Sequence, residues 1–561
     1  MHHLFLSVIT IVLAAQNAVE QRFLKDLNYL ASPELEGRGN GYAGLDLAAD
    51  YIQMTYRGLG LEVDRQTFPF AHKIERLSAS CVLAGKELVF GKDIETLGSS
   101  GDGRFNDAPI LFAGFGLNAP EWDDFSGVDA KGKVVAISRR VPDIEAIKGV
   151  ARSDLALHSR IRRIAGLGAL AVLVLEEGPT PSQVKREEGP LTQPIPVLSI
   201  PAASLEGVGE LLESITDKPG AKTLPGVTMD LIVQMRQVTA QLPNVTAILP
   251  GSDPLLSGEH IVVGAHMDHL GMGERHSRGG AGRLHPGADD NASGAAMLME
   301  IARRLKTSQP KRSILFAHFS GEEEGLLGSA HWVQCPTVPI PSVRFMVNFD
   351  MVGRLDADKP VLHVGGLGAT KAILEHSRSL APGGFTIGSD LGFAMGGSDH
   401  MSFATVRIPS YFFFTGIHTE YHTPQDTVDR LNIPGMARIA NYAAIVIQDL
   451  ANAPELPPFD PATAQNNERR HSGNRRVAFG TVPDFTEGKN GFRITGTTPG
   501  STAEGIGLKG GDSIISFGEK PVADIYDFME ALGTFKGGDK VTVKWIRDGQ
   551  EMQAEATLRE R

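Results

Sequence analysis

Five stretches between Asn244 and Leu450 set acids or histidines at the ends of apolar runs. HIVVGAHMDHLG closes with His266 and Asp268; PGADDNASG holds Asp289 and Asp290; GEEEGLLGS, directly after SILFAHF, holds Glu322, Glu323 and Glu324; MVNFDMVGR holds Asp350; and YHTPQDT, after PSYFFFTG, holds His422. Residues two apart on a strand point to the same side. One of His266 and Asp268 can therefore ligate a metal while the other orients the ligand from behind. Asp289 and Asp290 precede a helix, where an aspartate can cap the N-terminus or use both oxygens to bridge two cations. Three adjacent carboxylates repel one another, so any that is buried needs a positive partner, whereas a solvated turn would tolerate all of them. Asp350 lies in apolar surroundings where an unpaired acid is costly. Each stretch has a bland reading on its own, and a metal centre accounts for all five together.

Carboxylate and imidazole without thiolate suit a hydrolytic zinc pair, with manganese or cobalt as substitutes. Two such ions roughly 3.5–4 Å apart would hold a bridging hydroxide and clamp a tetrahedral intermediate. Neighbouring side chains on an extended chain point in opposite directions. One glutamate of the run can thus face the water as general base while the next faces a metal.

The elements that must position these residues alternate from Asn244 to about Leu450: strands at HIVVGAH, SILFAHF, FMVNFDM, VLHVGG and PSYFFFTG, with a helix over Ala292–Leu305. This order predicts an α/β fold, a mostly parallel mixed sheet with helices on both faces. In such folds ligands bind beyond the carboxyl ends of the strands. Upstream, Phe23, Leu24, Leu27, Leu30 and Ala31 recur at helical spacing, ASPELEGRGNG interrupts, and Leu45–Leu59 resumes the pattern. Short apolar runs punctuated by Gly and Pro predict a β-rich module over 105–235, and a Pro/Asn-rich stretch at 451–470 predicts a linker before a last module of short strands.

A chain of 561 residues exceeds one ordinary core. Its net charge of −12 is spread without a basic block, which excludes nucleic acid and anionic membrane as expected partners. Cys81 and Cys335 stand alone in unrelated contexts, so neither a disulfide framework nor a thiolate zinc site is read. The apolar run Leu4–Ala15 has the length of a secretory signal and is too short to span a bilayer, although histidines replace the usual basic residues before it. Residues 1–18 are therefore read as a signal peptide and the protein as exported, periplasmic or extracellular.

In order and spacing, GAHMDHLG, PGADDNASG, GEEEGLLGS, NFDMVGR and YHTPQDT resemble the motifs of the di-zinc exopeptidases that include bacterial leucyl aminopeptidases, aminopeptidase S and glutamate carboxypeptidase II. The resemblance implies that Asp290 bridges two zinc ions, that Glu323 and His422 complete one site, and that His266 and Asp350 complete the other. It further implies Glu322 as general base and Asp268 as partner of His266, and gives Glu324 no role. The flanks fit the same picture. YLASPELEGRGNGYAGLDLAADYI resembles family members carrying an inserted protease-associated domain, here 105–235, between catalytic parts at 19–104 and 236–450. The segment 471–561 resembles a PDZ domain of the bacterial protease type, whose groove strand is expected to begin near Gly491–Ile494 and to accept an extended peptide.

The implied activity is that of a zinc-dependent aminopeptidase acting on peptides with a free N-terminus through a metal-bridged hydroxide. A carboxypeptidase of the glutamate carboxypeptidase type shares the centre but needs arginines for a substrate carboxylate, and no such cluster is visible. A single-zinc glutaminyl cyclase is disfavoured because His266 and Asp350 are both present, and a catalytically silent binding protein because no ligand is missing. The segment 388–403 and Phe412–Phe414 are candidates for a specificity pocket, the phenylalanines being read rather as core. His269, His276 and His285 are read as solvated loop residues.

Overall fold

A computed structural model describes residues 17–97, 100–119, 122–140, 155, 157–176, 178, 193–204, 220–273, 276–277, 282–383, 385–388, 397–463, 477–483, 491–497, 500–523 and 525–560. The apolar run Leu4–Ala15 and most of 388–396 lie outside them. The chain folds as two compact units, one from the chain up to Phe70 together with Ala240 onward, the other Ala71–Thr239.

The first unit is built on a mixed sheet ordered Thr386–Gly388, Val361–Gly365, Ser410–Phe414, Val343–Phe349, His260–His266, Ser313–Phe319 and the end of Lys222–Leu249. His260–His266 runs parallel to both neighbours, and Val343–Phe349 runs parallel to Ser410–Phe414. Val361–Gly365 and Val245–Leu249 pair antiparallel on either side of this parallel centre. The central strands are apolar throughout because both faces are covered, and every residue of Ser313–Phe319 and Ser410–Phe414 is buried. Ile261, Val263, Phe316 and Val347 join one core with Leu298 of helix Gly294–Leu305, Ala443 of helix Ile433–Asn452 and Ile52 of helix Ala43–Gly58. The alternate residues Val262, Leu315 and Met346 pack on the opposite face with Trp332 of helix Leu327–Gln334 and Phe403 of helix His400–Thr405. Helices on both faces are thus observed, and Phe412–Phe414 are core.

The helical spacing near the N-terminus is also borne out. A helix over 17–30 buries Phe23, Leu27 and Leu30, and Pro33–Arg38 forms a short turn before Ala43–Gly58. From the Pro/Asn-rich stretch 451–470, Leu456 and Phe459 pack on this unit, and 464–470 lie outside the described residues. Among the described residues no helix is long and apolar enough to cross a membrane.

The second unit carries parallel strands Gly103–Phe112, Val134–Ser138, Ala171–Glu176 and Val197–Pro201, with helix Leu157–Gly166 packed on one face. Arg160 of that helix is buried and donates to the carbonyls of Phe115, Ser138, Arg139 and Arg140.

The C-terminal module has its own core, with Phe479, Ile494, Phe517, Phe528 and Trp545 at its centre. Its strands are ordered Thr481–Pro483, Phe492–Thr497, Ser513–Phe517, Lys540–Arg547 and Gln550–Thr557. This corrects the expected groove strand. Phe492–Thr497 pairs with Thr481–Pro483 at its Ile494–Thr497 end and with Ser513–Phe517 at Phe492 and Arg493, and among the described residues Thr481–Pro483 is the outermost strand of this sheet.

Candidate metal centre

The parallel strands end at one edge, and the chain places its acids just beyond them. His266 is the last residue of its strand and stands opposite Phe319; Ser320 and Gly321 then lead to Glu322 and Glu323, while Phe349 leads directly to Asp350. Asp290 sits in the irregular turn Ala288–Ser293, with non-helical φ −105° and ψ 96°. The helix that follows is capped by Asn291, whose Oδ1 accepts from the Gly294 N–H at 3.0 Å and from the Met351 N–H at 3.2 Å. Capping therefore falls to Asn291, and Asp290 is left for the site. Asp289 is used structurally, its Oδ1 accepting from the Gly353 N–H at 2.6 Å.

Two donor sets meet at Asp290. Its Oδ1 lies 3.3 Å from His266 Nε2, which is itself 3.4 Å from Asp350 Oδ1. Its Oδ2 lies 3.1 Å from His422 Nε2, which is 3.1 Å from Glu323 Oε2. Donors bound to a tetrahedral zinc at its usual bond lengths stand roughly 3.4 Å apart, so both sets have the spacing of a ligand cage. His422 Nε2 is buried and makes no directed hydrogen bond despite its two carboxylate neighbours, as a nitrogen with its lone pair turned to a cation position would be. Carboxylate and imidazole donors fit zinc, and the residues present fit a pair of cations sharing Asp290. Glu322 stands off, its Oε2 4.0 Å from His266 Nε2, in neither cage.

The electrostatics express the same crowding. Burial opposes charging His266, yet Glu322 and Asp350, with Asp268 and Asp290 beside it, raise its pKa well above the ordinary histidine value. Burial likewise opposes a charged His422, but Glu323 and Asp290 push it up to about 11. Burial would raise Asp290, and the surrounding histidines instead hold it well below the usual carboxylate range. Glu322 goes the other way: burial, reinforced by Asp350, Glu323 and Asp399, lifts it well above the usual glutamate value. Burial and Asp290 would raise Glu323 as well, but His422 and His269 instead lower it to about 2, so the two neighbouring glutamates are driven apart.

Besides Asp268, expected as the partner of His266, several supporting residues were not anticipated. Asp268 Oδ1 lies 3.6 Å from His266 Nδ1, and the Asp268 backbone carbonyl is nearer to that nitrogen at 3.2 Å. The carboxylate mainly holds the glutamate loop, accepting from the N–H groups of Glu322 at 3.2 Å and Glu323 at 3.4 Å and from Asn40 Nδ2 at 2.7 Å. Asp426, from YHTPQDT, accepts from the N–H groups of Asp289 and Asp290, each at 3.0 Å. Arg38, in the interrupting stretch ELEGRGNG, is buried and donates to the carbonyls of Leu30, Met267, Pro286 and Gly287; burial lowers its pKa to about 10. Tyr421 stacks on the His422 imidazole with ring centroids 3.8 Å apart.

The reading of the neighbouring histidines as solvated is corrected for two of them. His269 and His285 are buried, and only His276 is exposed. The cause is the turn Pro33–Arg38, which lies over this loop: the N–H of Gly271 donates to Gly37 and that of His269 to Arg38, each at 3.1 Å. Gly37 has φ +64°, and a Cβ there would lie 2.4 Å from the His285 carbonyl oxygen, so the close approach requires glycine.

Residues 244–447 match the model of peptidase family M28, and residues 483–558 match that of a PDZ domain. Aminopeptidase YwaD of Bacillus subtilis is 26% identical over 434 residues, covering 74% of this chain and 82% of that protein. An aminopeptidase of Pseudomonas aeruginosa is 24% identical over 351 residues, covering 61% of this chain and 58% of the relative. Among solved structures, the zinc aminopeptidase BSAP from Bacillus subtilis superposes with a TM-score of 0.50 at 22% identity, over 78% of this chain and 96% of that one, a likeness of fold.

Proposed function

We propose that this chain is a zinc-dependent aminopeptidase that releases N-terminal residues from peptides, in keeping with the match of residues 244–447 to the model of peptidase family M28. The observation that carries this is the division of Asp290 between His266 with Asp350 on one side and His422 with Glu323 on the other. These five residues would hold two zinc ions, with Asp290 common to both. When bound, such a pair polarises a peptide carbonyl and makes water acidic enough to attack near neutral pH. Glu322, outside both donor sets and with its pKa raised by burial, takes a proton from the attacking water and returns it to the leaving amine. Asp268 accepts from the N–H groups of Glu322 and Glu323, and Asn40 holds both Asp268 and the Gly321 N–H, which keeps the base over the site.

The flanking parts extend the reading. The segment 105–235, which falls within the unit Ala71–Thr239, is taken as the protease-associated insert, and the edge strand Thr481–Pro483 as the place where the PDZ module would accept an extended peptide. The apolar run Leu4–Ala15 supports export.

One assay tests the activity. The same peptide is offered with a free or an acetylated N-terminus, with and without chelator. Cleavage that disappears on acetylation and on chelation supports the proposal; cleavage indifferent to acetylation overturns the aminopeptidase reading, and cleavage indifferent to chelator overturns the metal.

A further inference from the structure

His269 lies beside the centre but outside the ligand set assigned above. Its ring is fixed from several directions. The backbone N–H donates to Arg38 O at 3.1 Å, and the ring stands edge-on to His422 with centroids 5.8 Å apart. Gly287, at φ +56°, brings its Cα so close that a Cβ would lie 2.4 Å from His269 Cδ2. So held, Nδ1 lies 2.8 Å from Glu323 Oε1 and 3.7 Å from Asp290 Oδ2.

The tautomer follows from the partners. His269 Nε2 is buried without a hydrogen bond, so a proton there would be left unsatisfied, whereas a proton on Nδ1 meets the Glu323 carboxylate. Nδ1 therefore donates. Glu323 then has its two oxygens differently engaged: Oε1 accepts from His269, and Oε2 is 3.1 Å from His422 Nε2.

We propose that His269 is a positioning residue that occupies Glu323 Oε1, leaves Oε2 for the cation, and so sets the affinity of the position formed by Asp290, Glu323 and His422. The inference rests on the two-cation reading above. Residues that orient a ligand carboxylate typically change metal affinity about 10- to 100-fold when removed. The effect is confined to one position, because the other is built from His266, Asp350 and the opposite oxygen of Asp290.

The test is a competition titration of the metal-free full chain with Zn2+ against a chromophoric chelator, with Co2+ absorption spectra in parallel, for the wild type, His269→Ala and His269→Asn. The asparagine amide carries an N–H close to where Nδ1 stands but is a poor zinc ligand. Two zinc ions bound by the wild type, a second affinity about 10- to 100-fold weaker in His269→Ala with the first unchanged, and recovery to within a few fold in His269→Asn support the proposal. The unchanged first affinity also shows that the variant is folded. Equal second affinities in wild type and His269→Ala overturn it. Failure of His269→Asn to recover, with a changed Co2+ spectrum, overturns it in favour of direct ligation by His269. A wild type that binds fewer than two ions overturns the two-cation reading itself, a result distinct from any variant-specific change.

Discussion

Asn40 donates from Nδ2 to Asp268 Oδ2 at 2.7 Å and accepts at Oδ1 from the Gly321 N–H at 3.1 Å, so one amide joins the end of the His266 strand to the glutamate loop. Both groups that it satisfies are buried. Asn40→Leu leaves Asp268 Oδ2 with the longer Glu323 N–H contact at 3.4 Å and strips the Gly321 N–H of its Asn40 acceptor, and peptide turnover is expected to fall about 10- to 100-fold. Asn40→Asp sets a second acid against Asp268 and is expected to be worse. Steady-state kinetics on a free N-terminal peptide reads both; a wild-type rate in either variant removes Asn40 from the positioning of the loop.

Glu322 and Glu324 flank the proposed ligand Glu323 and should behave oppositely. Glu322→Gln keeps shape and loses the proton-accepting carboxylate, so turnover is expected to drop about 100- to 10,000-fold with zinc content unchanged. Glu324→Gln is expected to leave both nearly as they were, since no role in either donor set falls to it. Turnover and metal analysis of the two variants are compared side by side. A large loss at Glu324 with little at Glu322 would mean that the register of the run is shifted by one.

His266 and Asp350, as proposed ligands, were legible as candidates because each stands at the end of an apolar strand, where strand period and fold class together determine which edge it reaches; the shares given to Asp290, Glu323 and His422 came from the motif resemblance. Arg38, Asn40 and His269 were not legible. Arg38 finds only backbone carbonyls, which carry no sequence signature, and its turn had the appearance of a simple helix break. His269 had the appearance of a loop residue until the turn Pro33–Arg38, far away in sequence, was seen to cover it. The outermost strand of the PDZ module was hidden for a related reason: Thr481–Pro483 is too short to show alternation, so the groove strand was expected near Gly491–Ile494.

Removal of zinc is expected to lower stability as well as activity. Without cations Asp290, Glu322, Glu323 and Asp350 crowd one buried edge, and His266 and His422 offset them only in part. A ligand present at a hundredfold excess over its Kd adds about 2.7 kcal/mol to the folded state. Calorimetry with chelator should therefore show a clearly lower Tm that returns on adding zinc back, together with peptide turnover. A Tm indifferent to chelator would contradict a buried cation centre.

His318, away from the proposed ligands, gives the chain a specific sensitivity to acid. Its Nε2 is hydrogen-bonded to the Tyr56 hydroxyl at 2.8 Å in the core, and burial lowers its pKa to about 3. The unfolded chain binds a proton there below about pH 6.5, whereas the folded chain stays neutral until about pH 3. Between these values the unfolded state holds the extra proton, so the contribution is complete above the unfolded pKa and is lost as pH falls, by about 1.4 kcal/mol per pH unit. His318→Phe removes the titration. Urea unfolding of wild type and variant at a series of pH values from neutral to mildly acidic should show the difference in stability narrowing or reversing in the variant's favour as pH falls. Parallel curves across that window would mean that the buried imidazole is already protonated in the fold.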